Sequence, residues 1–305
     1  MTKRLFRHEH PVLLGLLILG AISILFLGGI TFFISIISPS DQKDFFGKKN
    51  GIGIIEVKGV IISSEDLLQD LRDFRENQAV KAIVLRLDSP GGAVGASQEL
   101  FKEVQRTKAT KPVIASMGSV AASGAYYAAL GANKIMASPG TITGSIGVIL
   151  KFANLEELFG KIGYKSEVVK SGKLKDTGAP DRPLAPEERA VLQNIIDNVH
   201  QQFIRDVAAS RGLPEEKVKI LADGRIYSGE QAKNLGLIDL FGNFEDAITL
   251  AANLAGLDAK QPQLIYPKEK GFSLISLITG EQASAFKDRL LSHTPALSYE
   301  WALGQ

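Results

Sequence analysis

Ser123 is the residue best placed for covalent chemistry. It sits in the run that begins KPVIASMGSVAASGAYY at Lys111, where a buried-type strand (Pro112 to Met117) enters a turn of glycine and small residues. Its neighbours Ala121, Ala122, Gly124 and Ala125 are too small to shield a hydroxyl. A helix should begin just behind it, and an exposed alcohol at a helix start suits a nucleophile. Taken alone, Ser-Gly at such a position is equally a serine N-cap.

An alcohol needs a base. The chain has four histidines. His8 and His10 precede a long apolar run, His200 flanks the apolar stripe of a helix, and His293 lies in an irregular tail. A Ser-His-Asp triad is poorly supplied, which leaves lysine, the base of Ser-Lys dyads. Bringing a lysine from its usual pKa of about 10.4 to roughly 7–8 costs about 4 kcal/mol, which burial can supply. VVKSGKLKD offers Lys170, Lys173 and Lys175, and spacing alone does not choose among them.

Asp88-Ser89-Pro90-Gly91-Gly92 follows an apolar strand and precedes a helix. Two glycines let the backbone turn sharply and approach a ligand closely. Their N–H groups, with that of Gly124, could face a developing oxyanion. The G-x-G-x-x-G spacing of dinucleotide sites is absent.

These groups need a scaffold. Strands at 52–57, 60–62, 80–87, 112–117, 134–137, 145–150 and 166–169 alternate with helices at 64–76, 95–108 and 155–162, which predicts βαβ units and a mainly parallel sheet. A long helix follows over 186–211, with Val191, Ile195, Val199, Phe203 and Val207 as its core stripe. Shorter helices are expected at 214–221, 229–235 and 244–255. With no internal repeat, the soluble part reads as one domain.

The 305-residue chain has no cysteine, which removes disulfides, thiolate catalysis and cysteine metal sites. No charged residue lies between Glu9 and Asp41. Residues 12–37 would form a helix of roughly 39 Å against the ~30 Å of bilayer hydrocarbon, so they read as an uncleaved, tilted transmembrane anchor. Lys3, Arg4 and Arg7 before it put residues 1–11 in the cytoplasm, with the bulk of the chain across the membrane. A polar linker (38–50), a catalytic domain (51–260) and a tail of unassigned role (261–305) complete the organisation. Of 35 basic and 33 acidic side chains, three basic and one acidic fall in residues 1–37. The remainder is electrically balanced, with no basic field for nucleic acid.

LRLDSPGG, SMGSVAASGAYY, TGSIGV, VVKSGKLKD and ADGRIYSGEQAKNLGLID occur in this order. Over roughly residues 50–255 the chain thereby resembles the signal peptide peptidase A family in its short, single-catalytic-domain form. The resemblance implies an α/β, ClpP/crotonase-like fold and a membrane-anchored serine protease without metal or other cofactor. It implies Ser123 as nucleophile, Lys175 as general base, Ser145 as the serine bonded to that lysine, and Gly91 or Gly92 with Gly124 as the oxyanion hole. It also implies a ring-like homo-oligomer in which neighbours share sites, with signal-peptide remnants as substrates. Ala125 and Asp88 stand where glycine and asparagine are frequent in the family. The rival readings are a same-fold protease for one membrane partner protein, a crotonase-like acyl-CoA enzyme, and a scaffold that has lost activity. A substrate groove of small and apolar residues is expected.

Overall fold

The computed structural model describes residues 11–37, 50–268 and 298–300. The described residues divide into two compact units, one holding 11–37 and the other 50–268 with 298–300. In the first, α1 spans Pro11–Ile37, 27 residues without a charged side chain. Its side chains are described continuously over residues 16–30, and among the described residues no stretch is long and apolar enough to cross a membrane.

In the second unit, β1 (Gly51–Lys58), β2 (Val80–Ser89) and β4 (Val113–Ala122) form the centre of a parallel sheet. Their side chains alternate between two buried faces. Ile55, Val57, Ile83, Leu85, Leu87, Val113 and Ala115 pack into one core, and Ile52, Ile54, Ala82, Val84 and Ile114 into the other. Burial on both faces explains why these strands read as near-continuous apolar runs. Helices α2 (Glu65–Glu76), α3 (Val94–Lys108) and α6 (Pro186–Arg211) contribute to the first core, and α9 (Phe244–Leu254) covers the second.

β4 runs five residues past the expected end at Met117 and serves two partners. Ile114–Ser116 pairs with β5 (Lys134–Ala137), and Val120–Ala122 with β6 (Ile142–Gly144). A register shift against β2 separates the halves. Asp88 pins it, its Oδ1 accepting the Val120 N–H at 3.1 Å. β7 (Ile226–Ser228) closes that end antiparallel to β6, and β8 (Leu240–Phe241) pairs with β5. β9 (Gln263–Ile265) adds to β1 in parallel, beyond the boundary expected at residue 260. A separate two-stranded ribbon joins β3 (Gly91–Ala93) to β10 (Ser298–Glu300).

Four expectations need correcting. Residues 60–62 form no strand and keep only a bridge from Ile61 to Gly92. Residues 166–169 form no strand, because Val168 and Val169 have no sheet edge to join and stand exposed. Residues 145–150 reduce to one bridge at Ile149. The stripe of α6 is buried only at Phe203 and Val207, while Val191 and Ile195 lie at the surface. The first turns of that helix overhang the core.

Candidate active site

Ser123 stands at the corner between β4 and the short helix α4 (Gly124–Ala129), with φ of 55°. Among the described residues, only Ser123 and Ser145 are non-glycine residues with positive φ. Such a backbone costs of order 1–3 kcal/mol and persists only where its surroundings impose it. They do so here through hydrogen bonds. The Ser123 N–H donates to the Gly144 carbonyl at 2.7 Å, and the Ser123 carbonyl accepts the Tyr127 N–H at 2.8 Å. Ser145 N–H donates to the Arg225 carbonyl at 2.8 Å. The two serines thus lie at the ends of neighbouring strands.

The expectation of an unshielded alcohol is corrected: Ser123 is 1% exposed, because the glycine loop and β10 pack against its corner, and its Oγ has no hydrogen-bond partner among the described residues. A buried hydroxyl left unpaired costs about 1–3 kcal/mol. Thr107 Oγ1 and His200 Nε2 are the other atoms in this state among the described residues, and each calls for an explanation in its surroundings.

The glycine loop packs against this corner. Gly91 has φ of 104°, and a Cβ there would collide with the Tyr299 carbonyl oxygen and stand 2.7 Å from the Gly124 nitrogen. A Cβ on Gly124 would stand 3.1 Å from the Gly92 nitrogen. The Gly92 and Gly124 nitrogens and the Tyr299 carbonyl oxygen therefore lie close together around the loop. The Gly91 N–H is already spent on Ser89 Oγ at 3.1 Å. Of the two loop glycines considered for an oxyanion hole, Gly92 is the one whose amide faces the groove, where its antiparallel partner is Tyr299, and Gly91 provides the close approach.

β10 fills the groove in front of these groups. Ser298 exchanges both backbone hydrogen bonds with Ile149, each 3.1 Å. Alternation along an extended strand then turns the Tyr299 amide and carbonyl to the opposite side, toward Gly92, its antiparallel partner. The segment is held on both edges as an added strand. Tyr299 is fully buried among Tyr127 and Phe203, with ring centroids 5.2 and 4.8 Å away. The groove is thus aromatic rather than lined by small aliphatic residues. Nothing in the sequence around Tyr299 signalled this seat, since it depends on pairing between residues about 200 positions apart.

Lys175 lies on the connection between α5 (Glu156–Lys161) and α6, with its side chain exposed and its N–H closing a turn on the Gly172 carbonyl at 3.1 Å. No hydrogen bond between described residues joins it to Ser123 or Ser145 within one chain. Charges brace the connection. Arg182 bonds Glu188 through both terminal nitrogens (2.9 and 2.5 Å) and reaches Asp176 at 3.2 Å, and Lys170 holds Asp176 at 2.5 Å. Arg182 and the Ala185 N–H hold the Glu188 carboxyl at about 2, and Lys170, then Arg182, hold Asp176 below the usual range. The same arm exposes Leu158, Ile162, Val168 and Val169. Lys173, the other candidate in that run, pairs with Glu187, and Lys170 with Asp176, so neither is an uncommitted base. Among the described residues no cluster of histidine, aspartate and glutamate could hold a metal ion.

A buried serine without a hydrogen-bond partner among the described residues, at a strand-to-helix corner packed against a glycine loop, is the arrangement an α/β serine hydrolase needs. The peptidase family S49 model matches residues 105–258. A protein of Synechocystis sp. bearing a provisional protease name is 47% identical over 215 residues, covering 70% of this chain and 77% of that protein. The chloroplastic serine protease SPPA of Arabidopsis thaliana is 38% identical over 230 residues, covering 75% and 34%. The chain spans 34% to 54% of the longer relatives it matches. A ClpP of Listeria monocytogenes overlays 64% of this chain and 94% of its own at 17% identity and a TM-score of 0.45, agreement too low to define the fold. The chain belongs to peptidase family S49 and is a peptide-bond hydrolase.

Proposed function

We propose that the protein is a membrane-anchored serine endopeptidase working by a Ser-Lys dyad, with α1 as its anchor, a ClpP/crotonase-like catalytic domain and that domain on the extracytoplasmic side. Ser123 Oγ attacks the scissile carbonyl carbon and passes its proton to Lys175 Nζ. The amides of Gly92 and Gly124 take the negative charge of the tetrahedral oxygen. Collapse breaks the C–N bond, and Lys175 returns the proton to the leaving amine. Water then hydrolyses the acyl-enzyme by the same route reversed. Ser145 accepts from or donates to Lys175 and orients it.

The observation that carries this reading is the Ser123 corner, a strained and buried hydroxyl with Gly92 and Gly124 amides beside it. Lys175 reaches a serine only by crossing to another copy, and the exposed apolar residues of its arm suit burial against one. A ring-like homo-oligomer follows. Substrates enter as extended strands between Gly91–Ala93 and Ile149, the seat that β10 takes. Signal-peptide remnants and other unfolded, membrane-released segments fit this mode because they offer free backbone.

The test is fluorophosphonate labelling and peptide cleavage by the full chain in detergent. Labelling confined to Ser123, lost in Ser123→Ala, supports the reading. Undiminished cleavage by Ser123→Ala overturns it.

A further inference from the structure

The register shift between β2 and β4 lies just upstream of both halves of the candidate site. Leu87 pairs with Met117 and Ser89 with Ala121, so Gly118, Ser119 and Val120 stand opposite Asp88 alone. β4 therefore carries slack immediately before the end that bears Ser123. Side chains take it up. Asp88 Oδ1 accepts the Val120 N–H at 3.1 Å, an acceptor supplied where the ladder is interrupted. Thr141 Oγ1 donates to the Gly118 carbonyl at 2.8 Å, and Arg86 Nη1 donates to the Met117 carbonyl at 3.1 Å. Gly118 leaves room for the carboxylate, since a Cβ there would stand 2.9 Å from Asp88 Cγ. The Asp88 main chain is fixed as well, its carbonyl accepting the Gly59 N–H at 3.1 Å.

We propose that Asp88 is a positioning residue for catalysis, its carboxylate setting the nucleophile strand against the glycine loop. The assignment rests on the peptidase reading above, with Ser123 as nucleophile. Val120 lies three residues before Ser123, and Asp88 three before Gly91. One hydrogen bond thus joins the two segments at equal chain length from the groups they carry. Beyond it, the Ser123 N–H is held by the Gly144 carbonyl on β6, a strand that does not pair with β2. That bond places Ser123 against Ser145 and leaves its placement against Gly92 to Asp88 and the Ser89–Ala121 pair. Without the carboxylate, the slack of Gly118–Val120 lets the corner shift relative to the loop. A misplacement of about 1 Å can cost about 100-fold in rate, and the surviving Ser89–Ala121 pair limits the shift, so about tenfold is expected. The substrate edge at Gly91–Ala93 is held separately, by Ile61, whose N–H donates to the Gly91 carbonyl at 2.8 Å and whose carbonyl accepts the Ala93 N–H at 2.7 Å. Binding is therefore spared while turnover falls.

The test uses the full chain in detergent, with fluorescein-labelled casein as the cleavage probe, fluorophosphonate labelling of Ser123 and a thermal melt of each protein. Asp88→Ala should lower kcat about tenfold, leave KM within about twofold and slow labelling by the same factor as kcat. Asp88→Asn keeps an oxygen acceptor at the same reach and removes the charge, so it should restore both rates to within about twofold of the parent. Parent rates in Asp88→Ala overturn the assignment, as does a loss that falls on KM alone. An Asp88→Asn protein as slow as Asp88→Ala overturns it too, because the charge rather than the bond then matters. If Asp88→Ala melts too low to assay, Gly118→Ala decides. Its methyl group displaces the carboxylate without altering it, and parent rates there overturn the assignment. Cleavage that survives Ser123→Ala defeats the peptidase reading at this serine. Cleavage lost in Ser123→Ala but unmoved by Asp88→Ala defeats the positioning role alone.

Discussion

Ser123 and Ser145 are tied together by one backbone bond, from the Ser123 N–H to the carbonyl of Gly144, immediately before Ser145. Both serines hold a left-handed backbone, at φ of 55° and 50°. The register of β4 against β6 thus sets the spacing between the proposed nucleophile and its proposed helper, independently of either side chain. Ser123→Ala should abolish labelling and cleavage. Ser145→Ala should preserve the fold, lower kcat about 10- to 100-fold and shift the basic limb of the pH–rate profile. An unchanged profile would remove Ser145 from its role.

Lys175 is exposed in a single chain, so the dyad should assemble only between copies. Ser123→Ala and Lys175→Ala proteins should each be inactive. Co-refolded or co-expressed, they should regain measurable cleavage, since some junctions then pair an intact serine with an intact lysine. Absence of any recovery from a mixed oligomer verified by mass would rule out sharing.

The arm that carries Lys175 should loosen in acid. Glu188 has its carboxyl held at about 2 by Arg182 and the Ala185 N–H, below its ordinary 4.5. A depressed carboxyl contributes stability that is fully present above its unfolded value and lost as pH falls through the folded one. Amide hydrogen exchange over residues 170–190 should therefore rise between about pH 4.5 and 2, ahead of the sheet. Glu188→Gln should show the faster exchange at neutral pH. Equal exchange in both proteins across that range would show that the ion network does not hold the arm.

Gly91 and Gly92 should fail differently on substitution. At Gly91, alanine must adopt φ of 104° and collide with the Tyr299 carbonyl, so Gly91→Ala should destabilise by about 1–3 kcal/mol. At Gly92, a Cβ would meet the Ile61 backbone, moving the donor amide itself. Gly92→Ala should therefore cost more in kcat than in melting temperature, about 10²–10³-fold in rate if one oxyanion donor is lost. Thermal melts beside single-turnover rates would separate the two.

β10 should compete with substrate. Tyr299→Ala should speed the first seconds of fluorophosphonate labelling relative to the parent, because the segment beside Ser123 loses its buried anchor. A rate equal to or below the parent's would mean that β10 does not screen the serine.

The central sheet was legible because its strands are apolar on both faces and punctuated by glycine and proline. The strand-to-helix corner at Ser123 was legible because small residues crowd one serine. Other features lay outside local pattern. Val168 and Val169 have strand-forming side chains but no edge to join, and propensity cannot report a missing neighbour. Val191 and Ile195 continue a helical stripe beyond the end of the core. Gly91 and Gly92 differ only in what their amides face, which spacing does not encode. The seat of Tyr299 depends on long-range pairing. Predicted features of residues 1–10, 38–49, 269–297 and 301–305 lie outside the described residues.

The two-edged seat of β10 sorts chains by backbone before any side chain is read. An occupant must offer an N–H to Ile149 at the place of Ser298 and turn its next amide toward Gly92. Proline has no N–H to give. A polypeptide rich in imino acids would find no foothold there, however well its aromatic residues matched the pocket, and such stretches should survive intact beside neighbouring segments that are cut.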